Sequence, residues 1–346
     1  MVRQWVLVPP FGGSNPSSPA IFYAIICSMS KKVFTAKELE SLTSEQIIDK
    51  LQHENYSLLK SLGAEKLRRE MVPVGKICNT AINYVLGSTN SKLDEKTRVK
   101  KARTKLLKHL RRLTPGDYDG FPKDSKNGLV VGFNHPSLGE IARILMMKID
   151  LMGDKPMLFP VNLPWYEAIA KDYDKLKMLG IIITPTITPS TWKKMELKEG
   201  TKLYDAGNKI KRDFRELYTK LSHDTIKDGG VIFVAPAATR QVTVFKTKDV
   251  YDKKEPIIPT MSVLALELYK DPKMDCSFLP MAVLPPKNYN RNLNFFKTYT
   301  LIPGKLMTAS EIRKKYFKTK NPTRLENFDW DFHAEIAKLL PDEFKY

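Results

Sequence analysis

Short apolar runs alternate with longer amphipathic stretches along most of the chain after residue 127. Each run is rich in Val, Ile, Leu or Phe and is bounded by Gly, Pro, Asn or Asp, which is typical of buried strands. We predict strands at 129–133, 156–161, 180–184, 230–236 and 276–284 and, at a sheet edge, 295–303. Helical periodicity marks 141–152, 164–178 and 201–222. Strands that alternate with helices predict an α/β fold whose mixed, largely parallel central sheet is flanked by helices.

The chain before the first predicted strand has a helical pattern. Capping boxes begin at Thr35 and at Thr43, each with Glu or Gln three residues later, and apolar residues then recur with helical spacing. We therefore predict a small helical subdomain at 31–98, followed by the α/β domain at 99–346.

Residues 1–30 contain no acidic residue and many Pro, Gly and Ser residues, so we predict a disordered leader. A targeting leader would also be serine-rich and acid-poor. A natural start at Met29 is the alternative. The apolar window at 20–27 is too short to span a bilayer, and we expect no transmembrane segment.

A basic amphipathic helix is predicted at 99–113, where a narrow apolar stripe is surrounded by Lys and Arg. Such a helix contacts an anionic membrane surface or an acidic partner in some proteins. The alternative is a helix that packs on the core and exposes a solvated basic face. The narrow stripe, which lacks Trp and Phe, favours this alternative.

The chain is strongly basic, with 57 Lys and Arg against 38 Asp and Glu and a formal net charge of +19. This balance indicates polyanions, anionic membrane surfaces, or acidic substrates and carriers as partners. The cysteines at 27, 78 and 276 lie far apart, without metal or disulfide spacing. We predict a reducing compartment, no metal and no cofactor.

The stretch 128–140 combines a buried strand with polar residues at its end. The apolar run 129–133 leads into Asn134, His135 and Pro136. A residue before proline is disfavoured in a helix, so His135 should end the strand, and Pro136 suits the first helical position. His135 is then expected at the carboxyl end of the sheet, where ligands bind in open α/β folds.

Glu140 is expected one turn into the helix that follows His135. A helix N-terminus disfavours a cation, which keeps the imidazole neutral and able to accept a proton. A carboxylate on its other nitrogen would fix the tautomer and stabilise the imidazolium. The alternative is a capping histidine beside an unrelated surface glutamate.

Two other predicted strand ends carry cations. Arg240 follows the strand at 230–236 after small residues, and its planar guanidinium matches phosphate or carboxylate. Lys193 and Lys194 follow the strand at 180–184. A base and cations at neighbouring strand ends suggest a hydroxyl-bearing, phosphorylated substrate.

These motifs, in this order, resemble the glycerophosphate and lysophospholipid acyltransferases. The resemblance rests on Asn134-His135-x4-Glu140, on a strand ending in proline with Arg240 shortly after it, and on the apolar strand at 278–283. Soluble plastid-type glycerol-3-phosphate acyltransferases are closer. They share a helical N-terminal domain, a Lys-rich block similar to 192–195 and an Ala-Pro block similar to 234–240. The likeness extends over roughly residues 115–310.

The resemblance implies transfer of an acyl group from acyl-CoA or acyl-carrier protein to a hydroxyl of glycerol-3-phosphate or a lysophospholipid. It assigns His135 as general base, Glu140 as its orienting carboxylate, and Lys193, Lys194 and Arg240 as phosphate ligands. It also implies a role in phospholipid synthesis, in the cytoplasm or in a plastid stroma if the leader is a transit peptide, with peripheral membrane contact.

The chain departs from the family pattern in three ways. Glu140 replaces the usual Asp, Ala237 stands where membrane members have Glu, and no second arginine follows Arg240. The choice between glycerol-3-phosphate and a lysophospholipid as acceptor therefore stays open.

Two other classes of function compete with acyl transfer. In a serine hydrolase, 135–139 would be a nucleophile elbow with Ser137 as nucleophile and His223 or His333 as base, but a histidine replaces the first glycine. The net charge would also suit a nucleic-acid binder. The chain has no zinc-finger spacing, RNP-like strand or clear helix-turn-helix pattern, so we expect no nucleic-acid partner.

Overall fold

The structure is a computed structural model in which Val33–Tyr346 forms one compact unit. The predicted disordered leader at 1–30 lies outside the described residues. The structure describes residues 31–87, 94–113, 120–122, 127–136, 139–236, 247–249, 260–286, 299–317, 325 and 327–345.

A central mixed sheet is built from seven strands of the described chain, in the order β3-β2-β4-β1-β5-β6, with β7 also paired to β5. β1 to β5 are parallel, and β6 and β7 run antiparallel to β5. The predicted α/β class with a largely parallel sheet is confirmed. The strands are β1 Gly128–Phe133, β2 Met157–Asn162, β3 Ile181–Thr186, β4 Val231–Val234, β5 Cys276–Leu284, β6 Thr300–Pro303 and β7 Met307–Thr308.

Helices cover both faces of this sheet. The predicted helix at 164–178 is interrupted at Ala170–Asp172, where the buried Asp172 carboxylate accepts two hydrogen bonds from Asn79, at 2.8 and 2.9 Å. The predicted helix at 201–222 continues to Lys227. The helices are α1 Ala36–Ser41, α2 Ser44–His53, α3 Leu58–Ser61, α4 Glu65–Gly87, α5 Glu95–Leu113, α6 Gly139–Met152, α7 Leu163–Ile169, α8 Tyr173–Met178, α9 Pro189–Lys194, α10 Lys202–Lys227, α11 Thr260–Lys270, α12 Ala309–Tyr316 and α13 Phe328–Leu339.

The N-terminal helices begin where the capping boxes predict. Thr35 caps α1 and Thr43 caps α2, each with the reciprocal bond from the residue three positions later. These helices share one apolar core with the first face of the sheet, and this core includes Leu39, Ile47 and Val131. The division at residue 98 stays a prediction, and the helix that we predict at 99–113 begins at Glu95.

Side chains of β1 alternate between two cores because successive residues of a strand point to opposite faces. Val131 packs on the first face with α6, and Val130 packs on the second face with α11 and α13. Gly132 also faces α13, where an added Cβ would lie 2.4 Å from Cε1 of Phe332. Only glycine therefore allows α13 to approach β1 this closely.

Candidate active site

Three polar or cyclic residues follow β1 at the carboxyl edge of the sheet. Asn134, His135 and Pro136 follow the last residue of the strand, and the described helix α6 begins at Gly139. Residues 137 and 138 lie outside the described residues, so the first helical position that we predict for Pro136 stays a prediction. His135 itself lies outside the regular helix, and its imidazole reaches Glu140 in the first described turn of α6.

His135 and Glu140 are in direct contact. Nδ1 of the imidazole meets Oε1 of the carboxylate. The His135 side chain is 18 % exposed, whereas Glu140 is fully buried and is therefore not a surface glutamate. Oε2 of Glu140 has no hydrogen-bond partner in the described part of the chain, so this carboxylate makes its one polar contact there with the imidazole. The contact leaves Nε2 of His135 for a substrate.

Asn134 holds the end of β1 against β5. Its buried side-chain amide donates to the Val283 carbonyl at 2.9 Å and accepts from the Val283 N–H at 2.7 Å. Asn134 belongs to the sequence motif at 134–140. The motif gives no sign of its partner Val283, which lies 149 positions further along the chain. Asn134 therefore positions the peptide that carries His135.

A crevice is expected beside His135 because the chain leaves the paired strands β1 and β4 toward opposite faces. β1 leads into α6, whose Ile144 and Met147 pack on the first face. β4 leads toward α11, whose Met261 and Leu264 pack on the second face. Neighbouring parallel strands that diverge in this way open a ligand crevice at their carboxyl ends.

Lys193 and Lys194 lie at the same edge of the sheet but do not touch His135. Both are exposed and belong to α9, which follows β3. β2 and β4 lie between β3 and β1 in the sheet, so the backbones of β3 and β1 are roughly 14 Å apart. Sequence order cannot show this separation, because it does not contain the order of strands in the sheet.

A polar link that sequence reasoning missed ties α9 to the end of β2. The Asn162 amide donates to Thr191 Oγ1 at 2.7 Å, and the Thr191 hydroxyl lies 3.0 Å from Asn162 Oδ1, to which it donates. Thr188 caps α9 through the Thr191 N–H. The lysines of α9 are therefore held relative to β2 as well as to β3.

Arg240 lies outside the described residues, and so does Ser137. The segment that carries Arg240 follows β4, which pairs directly with β1. The role that we predict for Arg240 as a phosphate ligand therefore stays a prediction.

The two histidines considered for a hydrolase lie elsewhere. His223 is near the end of α10 that leads into the amino end of β4, the edge opposite to His135. His333 is buried on the second face, where its ring stacks on Trp330. Burial lowers the pKa of His333 to about 4.

Within the part of the chain that the structure describes, no three His, Cys, Asp or Glu side chains are grouped as metal ligands. The described helices include none with the length and apolar character needed to cross a bilayer. Comparison with models of known protein families and with curated proteins gives no match for this chain.

Proposed function

We propose that the chain is an O-acyltransferase that moves a fatty acyl group from acyl-CoA or acyl-carrier protein to a hydroxyl of glycerol-3-phosphate or a lysophospholipid. The contact between His135 and the buried Glu140 at the carboxyl edge of a parallel sheet carries this proposal. A carboxylate on one ring nitrogen fixes the tautomer, so the other nitrogen is ready to accept a proton.

In the proposed reaction, Nε2 of His135 takes the proton from the acceptor hydroxyl as its oxygen attacks the thioester carbonyl carbon. The base acts during the attack because a neutral hydroxyl is a poor nucleophile. The tetrahedral intermediate then collapses, the C–S bond breaks, and the imidazolium returns its proton to the leaving thiolate. Glu140 stabilises the imidazolium between these steps. No acyl-enzyme forms, since both substrates are bound together.

We assign the acceptor phosphate to Lys193, Lys194 and Arg240. The two ammonium groups extend from α9 at the edge that carries His135, and Arg240 follows the strand beside β1. Charge-assisted hydrogen bonds to a charged group contribute about 1.5–3 kcal/mol each. Arg240→Ala should therefore raise the acceptor KM by tens to hundreds of times and leave the donor KM almost unchanged.

The net charge of +19 suits an acidic donor and an anionic membrane surface. We therefore place the enzyme in phospholipid synthesis, in the cytoplasm or a plastid stroma, with peripheral contact to a membrane where its product is used.

A thiol-release assay tests the proposal directly. Purified protein is supplied with acyl-CoA or acyl-carrier protein and with a panel of hydroxyl acceptors that differ in phosphate and acyl content. Release that requires a phosphorylated acceptor supports the assignment. Release without an acceptor, together with labelling of Ser137 by a fluorophosphonate probe, would instead indicate a serine hydrolase.

Variants then separate the roles of the residues. His135→Ala should lose on the order of 10²–10⁴ in kcat, and Glu140→Gln should lose less. Ser137→Ala should keep substantial activity. A double Lys193→Ala, Lys194→Ala variant should raise the acceptor KM, whereas the same change at Lys100 and Lys101, two exposed lysines of α5, serves as the matched control. Near-normal turnover in His135→Ala would refute the assignment of His135 as the general base.

A further inference from the structure

The exposed face of α5 carries charge of one sign. Among the described side chains of this helix, every exposed charged one is a lysine or an arginine, and the other exposed residue is Thr104. The cations are Lys96, Lys100, Lys101, Lys108 and Arg111. At a rise of 1.5 Å per residue they extend over roughly 22 Å of the helix. We call this surface the α5 cation face.

The apolar side of α5 is used in packing. Ala102 is fully buried and Leu106 is partly buried against the core on the first face of the sheet. The helix therefore packs on the core and leaves its basic side in solvent, as in the alternative that the narrow stripe favours. A partner of α5 cannot bind this apolar stripe, so its attraction to the helix must come from charge.

Neighbouring residues do not balance most of this charge. Arg111 pairs with Asp150 at 2.8 Å, but the four lysines of the α5 cation face form no ion pair within the described part of the chain. Lys96 and Lys100 are four residues apart and thus adjacent on the helix surface, where like charges destabilise a helix. An anionic partner would remove this repulsion.

α10 shows how a solvated helix face of the same chain differs. Its exposed charged residues include Asp205, Glu216 and Asp224 beside six Lys and Arg residues. Lys209 of α10 also pairs with Asp213 at 2.8 Å. Mixed signs of this kind are typical of a helix face that is exposed to water alone. The described part of the α5 cation face has no exposed acidic residue, so solvation alone does not explain its composition.

The type of cation favours a lipid surface over a nucleic acid. Arginine, whose planar group binds phosphate through two bonds, is the preferred residue of nucleic-acid recognition. The exposed arginine of the α5 cation face is held by Asp150, and none of the described exposed side chains of the face is an aromatic ring on which a base could stack. Lysine is a compact, strongly hydrated charge, and lysine clusters on a helix bind anionic head groups by charge.

We infer that the α5 cation face docks the protein on an anionic membrane surface, with the lysines at the level of the head groups and no side chain inserted. This inference rests on the proposed function, in which the product is a lipid, and adds to it the surface that makes the membrane contact.

The position of α5 separates docking from catalysis. Arg103 of α5 pairs with Asp154 before β2, and its Nη2 lies 3.2 Å from the position that a Cβ on Gly180, just before β3, would occupy. Both contacts are at the amino edge of the sheet, and the six residues of β1 place His135 about 20 Å from that edge. Loss of docking should therefore leave the turnover of soluble substrates unchanged.

Co-sedimentation of the full chain with lipid vesicles tests the inference. Vesicles of phosphatidylcholine should bind little protein, whereas vesicles that also contain phosphatidylglycerol should bind it, and less tightly as the salt concentration rises. Each lysine near an anionic surface strengthens binding about five-fold. The combined changes Lys100→Glu, Lys101→Glu and Lys108→Glu should therefore weaken binding to the anionic vesicles at least on the order of 100-fold.

A matched control on α10 changes the net charge by the same amount. The combined changes Arg212→Glu, Arg215→Glu and Lys227→Glu replace three exposed cations of its mixed-sign face and should leave vesicle binding close to that of the wild type. Equal loss in the two variants would show that net charge alone attracts the protein, and would overturn the α5 cation face as the docking surface. A wild-type protein that does not bind the anionic vesicles would overturn it as well.

A second α5 variant keeps the test valid if the first does not fold by circular dichroism. Glutamine at positions 100, 101 and 108 removes the charge without reversing it and should weaken vesicle binding by up to about 100-fold. Unaltered vesicle binding in this folded variant would refute the inference.

A labelled DNA duplex, followed by fluorescence anisotropy at the same salt concentration, tests the competing partner. We expect the α5 variant to lose vesicle binding, whatever its affinity for the duplex. If the variant loses only duplex binding and keeps vesicle binding, the face is a nucleic-acid site and the inference is wrong.

Vesicle binding also distinguishes this inference from the proposed function. Protein that binds anionic vesicles through α5 but releases no thiol with any acceptor would refute acyl transfer and leave the docking surface standing. Thiol release that depends on the acceptor, with vesicle binding that does not respond to the α5 variants, would refute the docking surface alone.

Discussion

The side chain of Asn134 binds Val283 where two paired strands would otherwise bind each other through their backbones. Val283 directs its N–H and carbonyl toward β1, and the next ladder bond would use the main-chain carbonyl of residue 134. Instead the Asn134 amide accepts from this N–H and donates to this carbonyl. The main chain of β1 can therefore leave the sheet at once and carry His135 into the turn.

Replacing Asn134 should impair catalysis more than it impairs folding. Asn134→Ala leaves two buried backbone groups of Val283 unpaired, which costs about 1–3 kcal/mol of unfolding free energy per group. Because His135 is then less well placed, kcat should fall on the order of 100-fold while the donor KM stays near normal. Asn79→Ala, which removes two hydrogen bonds to Asp172 away from β1, is the control and should lose stability without this loss of kcat. Equal kcat in both variants would contradict the positioning role.

The local part of the site is predictable from sequence because neighbouring residues determine it. A buried strand followed by His-Pro places His135 at the end of β1, and Glu140 follows in the first turn of α6.

The long-range part of the site has no comparable signal in the sequence. Apolar runs predict β3 and β4, but not that β4 lies between β1 and β2. Consequently the sequence places cations at strand ends without showing that β3 is the far edge. The bond between Asn162 and Thr191 likewise depends on which strands become neighbours.

Glu167 should reveal whether the N-terminal helices unfold separately. This buried residue of α7 accepts from the Ser57 hydroxyl at 2.8 Å and from the Leu59 N–H at 2.6 Å, which ties α3 to the sheet domain. Glu167→Ala should lower the unfolding free energy by about 1.5–3 kcal/mol or more, since bonds to a charged group are lost. Because α1 and α2 share a core with the sheet, we expect a single transition at a lower midpoint.

Calorimetry, together with unfolding curves followed by two optical probes, checks this expectation. Glu70→Ala on the exposed side of α4 is the control. A separate early transition in the Glu167 variant would instead show that 31–98 is an independent subdomain.

His333 should make stability depend on pH in mildly acidic solution. Burial lowers its pKa to about 4, below the value of about 6.5 for an unfolded chain. Between these values the unfolded state binds more protons, so the unfolding free energy should fall as the pH drops from 6.5 to 4. Below pH 4 both states are protonated and this contribution stays constant.

Chemical denaturation at several pH values measures this slope. His333→Leu should flatten it between pH 6.5 and 4, whereas His53→Leu, at a side chain that is 48 % exposed, should keep the wild-type slope. An unchanged slope in the His333 variant would assign the acid sensitivity to other groups.

The basic face of α5 should not steer the acyl donor. Arg111 of α5 pairs with Asp150 near the end of α6 at 2.8 Å, and Arg103 pairs with Asp154 before β2, so α5 lies toward the amino edge of the sheet. Six residues of β1 separate that edge from His135, a length of about 20 Å. Exposed charges are largely screened beyond about 10 Å at 0.1 M salt. Charge reversal at Lys100, Lys101 and Lys108 should therefore leave the salt dependence of kcat/KM for the donor unchanged.

Lysines at the carboxyl edge should behave differently. Lys198 and Lys202 are exposed in and after the loop that follows α9, at the edge that carries His135. Reversal of both should lower kcat/KM for an acidic donor at low salt and reduce its dependence on ionic strength, because a steering field acts near the site that the donor must reach. Stopped-flow donor binding from 20 to 300 mM salt distinguishes the two variants. If the α5 variant alone loses the salt-dependent rate, α5 is the docking surface, and the donor approaches from the edge of the sheet opposite to His135.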